Sequence, residues 1–336
     1  MRTAKRRSFT ASEYVEGIVK GDTSILSQAV TLVESNRYEH QTLAQEVIEK
    51  CLPHACDSVR VGITGVPGAG KSTSIDTFGL HVLKRGGKLA VLAIDPSSER
   101  SKGSILGDKT RMEALSREKN AFIRPSPSAG SLGGVARKTR ETIVLCEAAG
   151  FDTVFVETVG VGQSETAVHS MVDFFLLIQL AGTGDELQGI KRGIMEMADG
   201  IIINKADGDN IEKANLAAAQ FRNALHLFPP SESGWFPKVL TYSGYYNLGI
   251  KEIWDMVGEY MEFTKKNGYF DYKRNEQAKY WMYESINDTL RDKFYHNPAV
   301  EGMLEQTEKQ VLNNEISSFV AAKRMIDLFL DNIATK

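Results

Sequence analysis

A glycine-rich segment at residues 65–72 has the composition and spacing of a phosphate-binding loop. Its sequence, GVPGAGKS, fits the pattern G-x-x-x-x-G-K-[ST], follows a predicted strand and precedes a predicted helix. Gly68 and Gly70 would let backbone N–H groups converge on phosphate oxygens, because neither residue has a Cβ in the way. The helix dipole and the Lys71 ammonium would add positive charge, and the Ser72 hydroxyl could bind Mg²⁺. The segment therefore predicts a nucleoside triphosphate site formed by Gly65, Val66, Pro67, Gly68, Ala69, Gly70, Lys71, Ser72 and Thr73.

A second motif, N-K-x-D at residues 204–207, indicates which base is bound. It suits guanine, because the carboxylate of Asp207 can accept hydrogen bonds from both N1–H and the 2-amino group. Adenine has neither donor and would leave a buried carboxylate unpaired. Asn204 and the stem of Lys205 are expected to brace the loop and cover the base. Two residues after a later predicted strand could bring a backbone amide to O6 of guanine: Ser243 and Gly244.

Candidate ligands for Mg²⁺ lie between these two motifs. Mg²⁺ prefers six oxygen ligands, usually one or two carboxylates with phosphates and water. Asp95 and Glu157 end predicted strands, and Asp108 lies in the loop GSILGDKTR. With Ser72 they would form an octahedral set, although each could instead be a turn former or a sheet-edge acid. Arg111 lies one helical turn after Asp108, where it could face a phosphate or form a surface ion pair. The candidate catalytic residues are thus Lys71, Asp95, Asp108, Arg111 and Glu157.

Short apolar runs predict the strands that position these motifs. The runs alternate with helix-length segments, and their continuous apolar character indicates burial on both faces, as in a parallel sheet. The pattern predicts a doubly wound, mostly parallel α/β domain. The runs are residues 59–64, 88–95, 121–125, 152–158, 173–180, 200–205 and 237–241.

Helical segments flank the predicted sheet in the sequence. We expect an N-terminal helical extension at residues 1–57, the α/β domain at 58–262 and a C-terminal helical arm at 263–336, with a linker at 263–269. The arm has little core of its own, so it must pack on the main domain or on a second copy. Its aromatic residues Tyr280, Trp281 and Tyr283 are expected to lie in a core. Its apolar stripes are Tyr283, Ile286, Leu290 and Phe294, and Ile316, Phe319, Val320, Ile326, Phe329 and Leu330.

Composition excludes several classes of function. The chain has 336 residues, of which 40 are basic and 43 acidic, so its formal net charge of −3 gives no support for nucleic-acid binding through bulk charge. Its 3 cysteines rule out a disulfide framework and suit a reducing compartment. No apolar run approaches the ~18 residues needed to span a membrane. We therefore expect a cytoplasmic protein with no nucleic acid and no membrane among its partners.

Long blocks of the sequence resemble the MeaB/MMAA (ArgK-type) family of P-loop GTPases. They are GVPGAGKST, AIDPSSERSKGSILGDKTRM, IRPSPSAGSLGGVARKTRE, ETVGVGQSE, GDELQGIKRGIMEMADG and NKADGDN, and they lie densely within residues 60–210. The resemblance is looser over the N-terminal helices and the C-terminal arm. It implies a P-loop NTPase fold and the function of an auxiliary G-protein of adenosylcobalamin-dependent acyl-CoA mutases.

The resemblance also implies a mechanism and a set of partners. The protein would bind GTP with Mg²⁺ and hydrolyse it to GDP while attached to a B12 mutase such as methylmalonyl-CoA mutase. It would gate the loading of adenosylcobalamin and help to release damaged cofactor. The family's homodimer forms through the C-terminal arm. A mobile loop, switch III, maps onto residues 185–191, where Asp185, Gln188 and Lys191 match the family's pattern and would couple nucleotide state to the mutase.

The segment after Glu157 bears on the rate of hydrolysis. Gly160 could donate its N–H to the γ-phosphate, but the next position holds Val161, where many signalling GTPases place a water-orienting glutamine. This predicts slow intrinsic hydrolysis that the partner or a switch loop accelerates. Gln163 is a possible substitute for the missing glutamine.

Three other functions remain open. An ArgK-type kinase of a transport protein would share the phosphate loop, but the N-K-x-D motif favours guanine and no acceptor-binding module is evident. A nickel or cobalt metallochaperone GTPase would need a His- or Cys-rich site, whereas the 6 His and 3 Cys here are scattered. A nucleotide-gated scaffold would bind GTP with only incidental hydrolysis.

Overall fold

The centre of the fold is a 7-stranded sheet in which every pair of neighbouring strands is parallel, in the order β3-β2-β4-β1-β5-β6-β7. A computed structural model describes residues 9–94, 112–125, 132–158, 164–181 and 192–334. Each predicted apolar run forms a strand, which confirms the α/β fold class. The strands are β1 (Val59–Gly65), β2 (Leu89–Ile94), β3 (Ala121–Arg124), β4 (Thr153–Thr158), β5 (Phe174–Leu180), β6 (Gly200–Asn204) and β7 (Lys238–Thr241).

Helices precede, cover and follow this sheet. Those before and within the sheet region are α1 (Ala11–Val19), α2 (Thr23–Glu34), α3 (Tyr38–Cys51), α4 (Lys71–Lys84), α5 (Leu132–Ala148), α6 (Ser164–His169), α7 (Arg192–Met197) and α8 (Ile211–Leu225). Those after β7 are α9 (Ile250–Lys266), α10 (Tyr269–Tyr295), α11 (Pro298–Leu312) and α12 (Ser318–Ala334). None of the helices in these described ranges is long and apolar enough to cross a membrane.

Apolar packing places the sheet between helical layers. On one face, α4 and α9 contribute Phe78 and Met256 to a core that includes Ile63 and Leu176 of the strands. A second cluster packs α8 against β6 and includes Phe221, which is fully buried. The inner strands β2, β4 and β6 are buried along their whole length, as expected for a parallel sheet covered on both faces. The core thus fixes the strand ends from which the site residues project.

The N-terminal helices are tied to the sheet domain by polar contacts. The guanidinium of Arg124, the last residue of β3, pairs with the Glu34 carboxylate at the end of α2. Lys138 of α5 donates to the Glu34 backbone carbonyl at 2.6 Å and to Asn36 Oδ1 at 2.6 Å. Residues 9–57 therefore pack against the sheet domain, and they belong to the same compact unit, which extends to Gln277.

The chain divides into two compact units between Gln277 and Ala278. The domain boundary that we expected between residues 262 and 263 falls inside the helix α9. The expected linker at 263–269 is helical except at Asn267 and Gly268. Gly268 has a left-handed backbone with φ of +79°. The difference arises because the first two turns of α10 are bonded to the sheet domain.

Asp173, just before β5, is the centre of that attachment. Its carboxylate is 2% exposed and accepts the Arg60 backbone N–H at 2.9 Å. The Arg274 guanidinium donates to both carboxylate oxygens, each at 2.9 Å, and to the Ser58 carbonyl at 2.7 Å. Gln277 adds a bond of 2.8 Å to the Val172 carbonyl. Asp173 thus joins β1, β5 and α10 at the amino edge of the sheet.

The second unit, from Ala278 onward, has a small core of its own. Phe294 and Phe329 pack edge to face with ring centroids 5.3 Å apart, and Met325 is buried. Trp281 is buried as expected, but Tyr280 and Tyr283 are 46% and 61% exposed. The prediction that these two tyrosines lie in a core is wrong, because a few helices cannot cover all of each other's surface.

We expect Arg274→Ala to lower the free energy of unfolding by about 3 kcal/mol, because it leaves a buried carboxylate without its charged partner. Urea unfolding followed by circular dichroism measures the change. Arg291→Ala is the matched control on the same helix: its side chain is 52% exposed, and its pair with Asp288 at 2.9 Å should contribute less. Equal losses in the two variants would contradict the role given to Asp173.

Candidate functional site

The phosphate-binding loop leaves the carboxyl end of β1 and enters α4. A Cβ at Gly65 would lie 2.3 Å from the Ile178 carbonyl oxygen, so only glycine fits there. Gly68 and Gly70 have left-handed backbones, with φ of +80° and +85°. Gly70 is the residue before α4 and has no side chain to cap the helix. The N–H groups of the first turn are therefore available to an anion.

Lys71, the first residue of α4, lies across this loop. Its Nζ donates to the Gly65 carbonyl at 2.9 Å. Burial lowers the pKa of the Lys71 ammonium, while the negative charges of Glu157 and Glu165 oppose that shift. Ser72 follows and is half-buried. The loop thus combines one cation, a hydroxyl and a helix N-terminus in one place, as a bound polyphosphate requires.

Two buried carboxylates complete the phosphate side of the site. Glu157 is 8% exposed and lies opposite Ile63 of β1 and Ala93 of β2 in the sheet register. Glu165, in the first turn of α6, is 4% exposed. Sequence reasoning selected Glu157 and missed Glu165, although Glu165 ends the block ETVGVGQSE that was singled out. Its burial beside the charge of Lys71 is what draws attention to it.

Asn204 joins the phosphate loop to the segments predicted to bind the base. Its Nδ2 donates to the Ala69 carbonyl at 2.7 Å. Its Oδ1 accepts the N–H groups of Lys205 at 2.7 Å and of Gly244 at 3.2 Å. A Cβ at Gly70 would lie 2.6 Å from Asn204 Nδ2, so the loop and this amide are packed closely. The expectation that Asn204 braces the loop agrees with these contacts.

Asp207 lies beside Ser243, the second residue after β7. The Ser243 hydroxyl donates to Asp207 Oδ2 and accepts the Tyr246 N–H at 3.3 Å. Lys205 has a left-handed backbone with φ of +59°, and its carbonyl accepts from Asn210 at 2.8 Å. These bonds orient the Asp207 carboxylate before any base is bound.

The two backbone amides expected to reach O6 of guanine already have partners within the protein. The Ser243 N–H donates to the Leu248 carbonyl at 3.1 Å. The Gly244 N–H donates to Asn204 Oδ1. The sequence pattern could not show that Ser243 contributes instead through its hydroxyl, because the bond joins residues 36 positions apart.

Several residues selected from the sequence lie outside the described residues. They are Asp95, Asp108, Arg111, Gly160, Gln163, Asp185, Gln188 and Lys191. The described donors, the Ser72 hydroxyl and the Glu157 carboxylate, are hard oxygen ligands of the kind that Mg²⁺ prefers. The residues present therefore fit a nucleotide with its magnesium ion.

We expect Asp207→Asn to weaken binding of guanosine diphosphate by about tenfold or more, since a bidentate base contact is worth about 1–3 kcal/mol in comparable readout of nucleic acid bases. The same variant should gain affinity for xanthosine diphosphate, because the new amide can donate to the 2-oxo group. Titration with fluorescent analogues of both nucleotides measures this. Loss of both affinities would contradict a direct contact between Asp207 and the base.

Comparison with known proteins places the chain in a family. The model of the methylmalonyl Co-A mutase-associated GTPase MeaB matches residues 26–299. The GTPase ArgK of Escherichia coli is 44% identical over 308 residues, which are 92% of this chain and 93% of ArgK. The mitochondrial methylmalonic aciduria type A homolog of Mus musculus is 44% identical over 323 residues, which are 93% of this chain and 78% of that protein.

The solved structure of a LAO/AO transport system kinase is 36% identical, with a TM-score of 0.75, and the match covers 97% of this chain and 100% of that one. Because these matches include the phosphate loop and the N-K-x-D motif, the chain belongs to the MeaB family of P-loop GTPases.

Proposed function

We propose that this GTPase is a chaperone of an adenosylcobalamin-dependent acyl-CoA mutase of the methylmalonyl-CoA mutase type. The observation that carries the proposal is the family match over residues 26–299, whose description names that mutase. The mouse relative, named for methylmalonic aciduria, supports it at 44% identity. In this function, GTP binding and hydrolysis gate the loading of adenosylcobalamin and the release of damaged cofactor.

In the proposed site, each described residue has a distinct task. The phosphate loop and Lys71 hold the β- and γ-phosphates, and Asp207 selects guanine. Ser72 and Glu157 hold Mg²⁺, with Asp95 and Asp108 as candidates for further ligands and Arg111 for a phosphate contact. When bound, Mg²⁺ neutralises the charge that develops on the phosphates. The buried position of Glu157 beside the end of β1 supports its assignment.

Hydrolysis is proposed to be slow in the isolated protein. Val161 occupies the position of a water-orienting glutamine, so a group from the mutase or from a switch loop completes the site. Gly160 and Gln163, with Asp185, Gln188 and Lys191, are proposed to transmit the nucleotide state to the mutase.

The C-terminal arm is proposed to form a homodimer. Apolar side chains of its predicted stripes stay exposed in a single chain: Leu290 is 55%, Phe319 is 85% and Leu330 is 56% exposed. Such a large apolar surface is typical of an interface. A second copy of the arm would cover it.

A protein kinase is the second candidate, because the solved relative at 36% identity is described as a LAO/AO transport system kinase. The two functions differ in the acceptor of the γ-phosphate, which is water for a GTPase and a side chain for a kinase. Turnover of radiolabelled GTP and ATP, with and without a periplasmic amino-acid-binding protein, separates them. Label transferred to that protein would favour the kinase.

We expect the methylmalonyl-CoA mutase of the same source to raise the rate of GTP hydrolysis severalfold or more, because it completes the site. Phosphate release measures the rate, with a cobalamin-independent acyl-CoA enzyme as the control partner. Lys71→Ala should reduce the stimulated rate by at least ~100-fold, since it removes a charge that stabilises the transition state. A basal rate that no mutase of the same source changes would contradict the proposal.

We expect Leu290→Glu to convert a dimer into a monomer, because it places a charge in the proposed interface. Light scattering after size-exclusion chromatography measures the mass. Leu216→Glu is the matched control, since Leu216 is 63% exposed but lies on α8, outside the arm. A wild-type chain that elutes as a monomer at micromolar concentration would contradict the dimer.

A further inference from the structure

Tyr242, the residue after β7, is buried where the two halves of the nucleotide site meet. Its side chain is 1% exposed. Its hydroxyl lies 2.6 Å from Thr77 Oγ1 on α4, the helix that begins with Lys71. Its ring packs against Phe78 with centroids 5.1 Å apart. The tyrosine therefore reaches from the base side of the site to the second turn of the phosphate-binding helix.

The direction of the hydrogen bond follows from the hydroxyl of Thr77. That oxygen lies 3.1 Å from the Thr73 carbonyl and 3.0 Å from the Ser74 carbonyl, so its single proton is directed to the helix backbone. The Tyr242 hydroxyl must then donate to Thr77. Burial raises the pKa of the Tyr242 phenol, which keeps its proton in place at neutral pH.

The backbone of Tyr242 is bonded to the base side of the site. Its N–H donates to the Ile203 carbonyl at 2.9 Å, and its carbonyl accepts the Ala206 N–H at 2.9 Å. These two bonds enclose Asn204 and Lys205 in the chain.

The two residues that follow Tyr242 also lie close to groups of the site. Ser243 bonds to Asp207, and a Cβ at Gly244 would lie 2.9 Å from the Tyr242 hydroxyl oxygen and 3.4 Å from Thr73 Cγ2. The loop after β7 thus turns directly over the tyrosine hydroxyl and the start of α4.

We propose that Tyr242 is a positioning residue that sets the distance between the guanine-binding loops and the phosphate-binding helix. The inference rests on the nucleotide-site assignments proposed above. The base and the phosphates of a nucleotide are covalently joined, so one molecule has to fit both halves of the site at once. Its affinity therefore depends on the separation of the two halves as well as on each contact. Tyr242 contacts both halves and need not touch the nucleotide itself.

The test compares two affinity ratios in wild type and Tyr242→Phe, which loses only the hydroxyl. The ratio for GDP over inosine diphosphate reports the contact of Asp207 with the 2-amino group, which inosine lacks. The ratio for GDP over GMP reports the β-phosphate in the loop. Loss of this hydrogen bond should lower both ratios, each by about threefold or more. Isothermal titration calorimetry with the full chain supplies the dissociation constants.

Two further variants separate positioning from stability. Tyr260→Phe removes the hydroxyl of another buried tyrosine, 1% exposed on α9 and packed on Phe174 at the start of β5. It should lower the melting temperature to a similar degree and leave both ratios unchanged. Thr77→Val removes the acceptor of the same hydrogen bond and should reproduce the effect of Tyr242→Phe. The test therefore stays decisive if Tyr242→Phe does not fold.

The outcomes are distinct. A fall in both ratios for Tyr242→Phe or Thr77→Val, but not for Tyr260→Phe, supports the proposal. A fall in one ratio alone, or a change in melting temperature with both ratios intact, overturns it while leaving the nucleotide-site assignments in place. A wild-type chain that binds GDP no better than inosine diphosphate would overturn the guanine contact of Asp207 and the inference together.

Discussion

Parallel strand pairing is the constraint on which the site depends. Because all neighbouring strands run the same way, their carboxyl ends meet at one edge of the sheet. β1 lies between β4 and β5, so its phosphate loop has the acidic end of β4 on one side. Asn204 ends β6, one strand beyond β5, and its amide reaches back to Ala69. Residues from 3 distant parts of the chain, Gly65 to Lys71, Glu157 and Asn204, are thus brought together by backbone pairing before any ligand contributes.

The cation of the site is largely buried and is stabilised by two buried carboxylates. Desolvation disfavours the Lys71 ammonium and lowers its pKa, and the negative charges of Glu157 and Glu165 offset only part of that cost. Lys71 also donates to the Gly65 carbonyl, a backbone oxygen in the wall of the loop. A phosphate would replace this neutral acceptor with a charged one, and charge-assisted hydrogen bonds are stronger. The bond to Gly65 thus holds the ammonium in the loop, and phosphate binding would exchange this bond for a stronger one.

Sequence patterns predict those parts of the molecule that local rules govern. The strands followed from continuous apolar runs, and the phosphate loop from glycine spacing that a left-handed backbone requires at Gly68 and Gly70. What the patterns miss is the choice of partners by side chains far apart in the chain. Tyr242 and Thr77 are 165 residues apart, and neither was singled out. The prediction of a linker at 263–269 was wrong for the same reason, because the bonds of Arg274 to Asp173 join residues 101 positions apart.

The amino edge of the sheet shows a repeated device that is separate from the site. Asp152, Asp173 and Asp199 each precede a strand, and each carboxylate accepts the backbone N–H of a residue at the start of a neighbouring strand. The acceptors bond to Lys88, Arg60 and Phe175 at 3.0, 2.9 and 2.9 Å. Each carboxylate supplies a hydrogen-bond acceptor for a backbone N–H at the point where strand pairing ends. Two of the carboxylates also pair with lysine and arginine side chains of α10 at the same edge. Because these contacts lie at the edge opposite the phosphate loop, the carboxylates that anchor α10 and the strand starts are separate from the residues of the site.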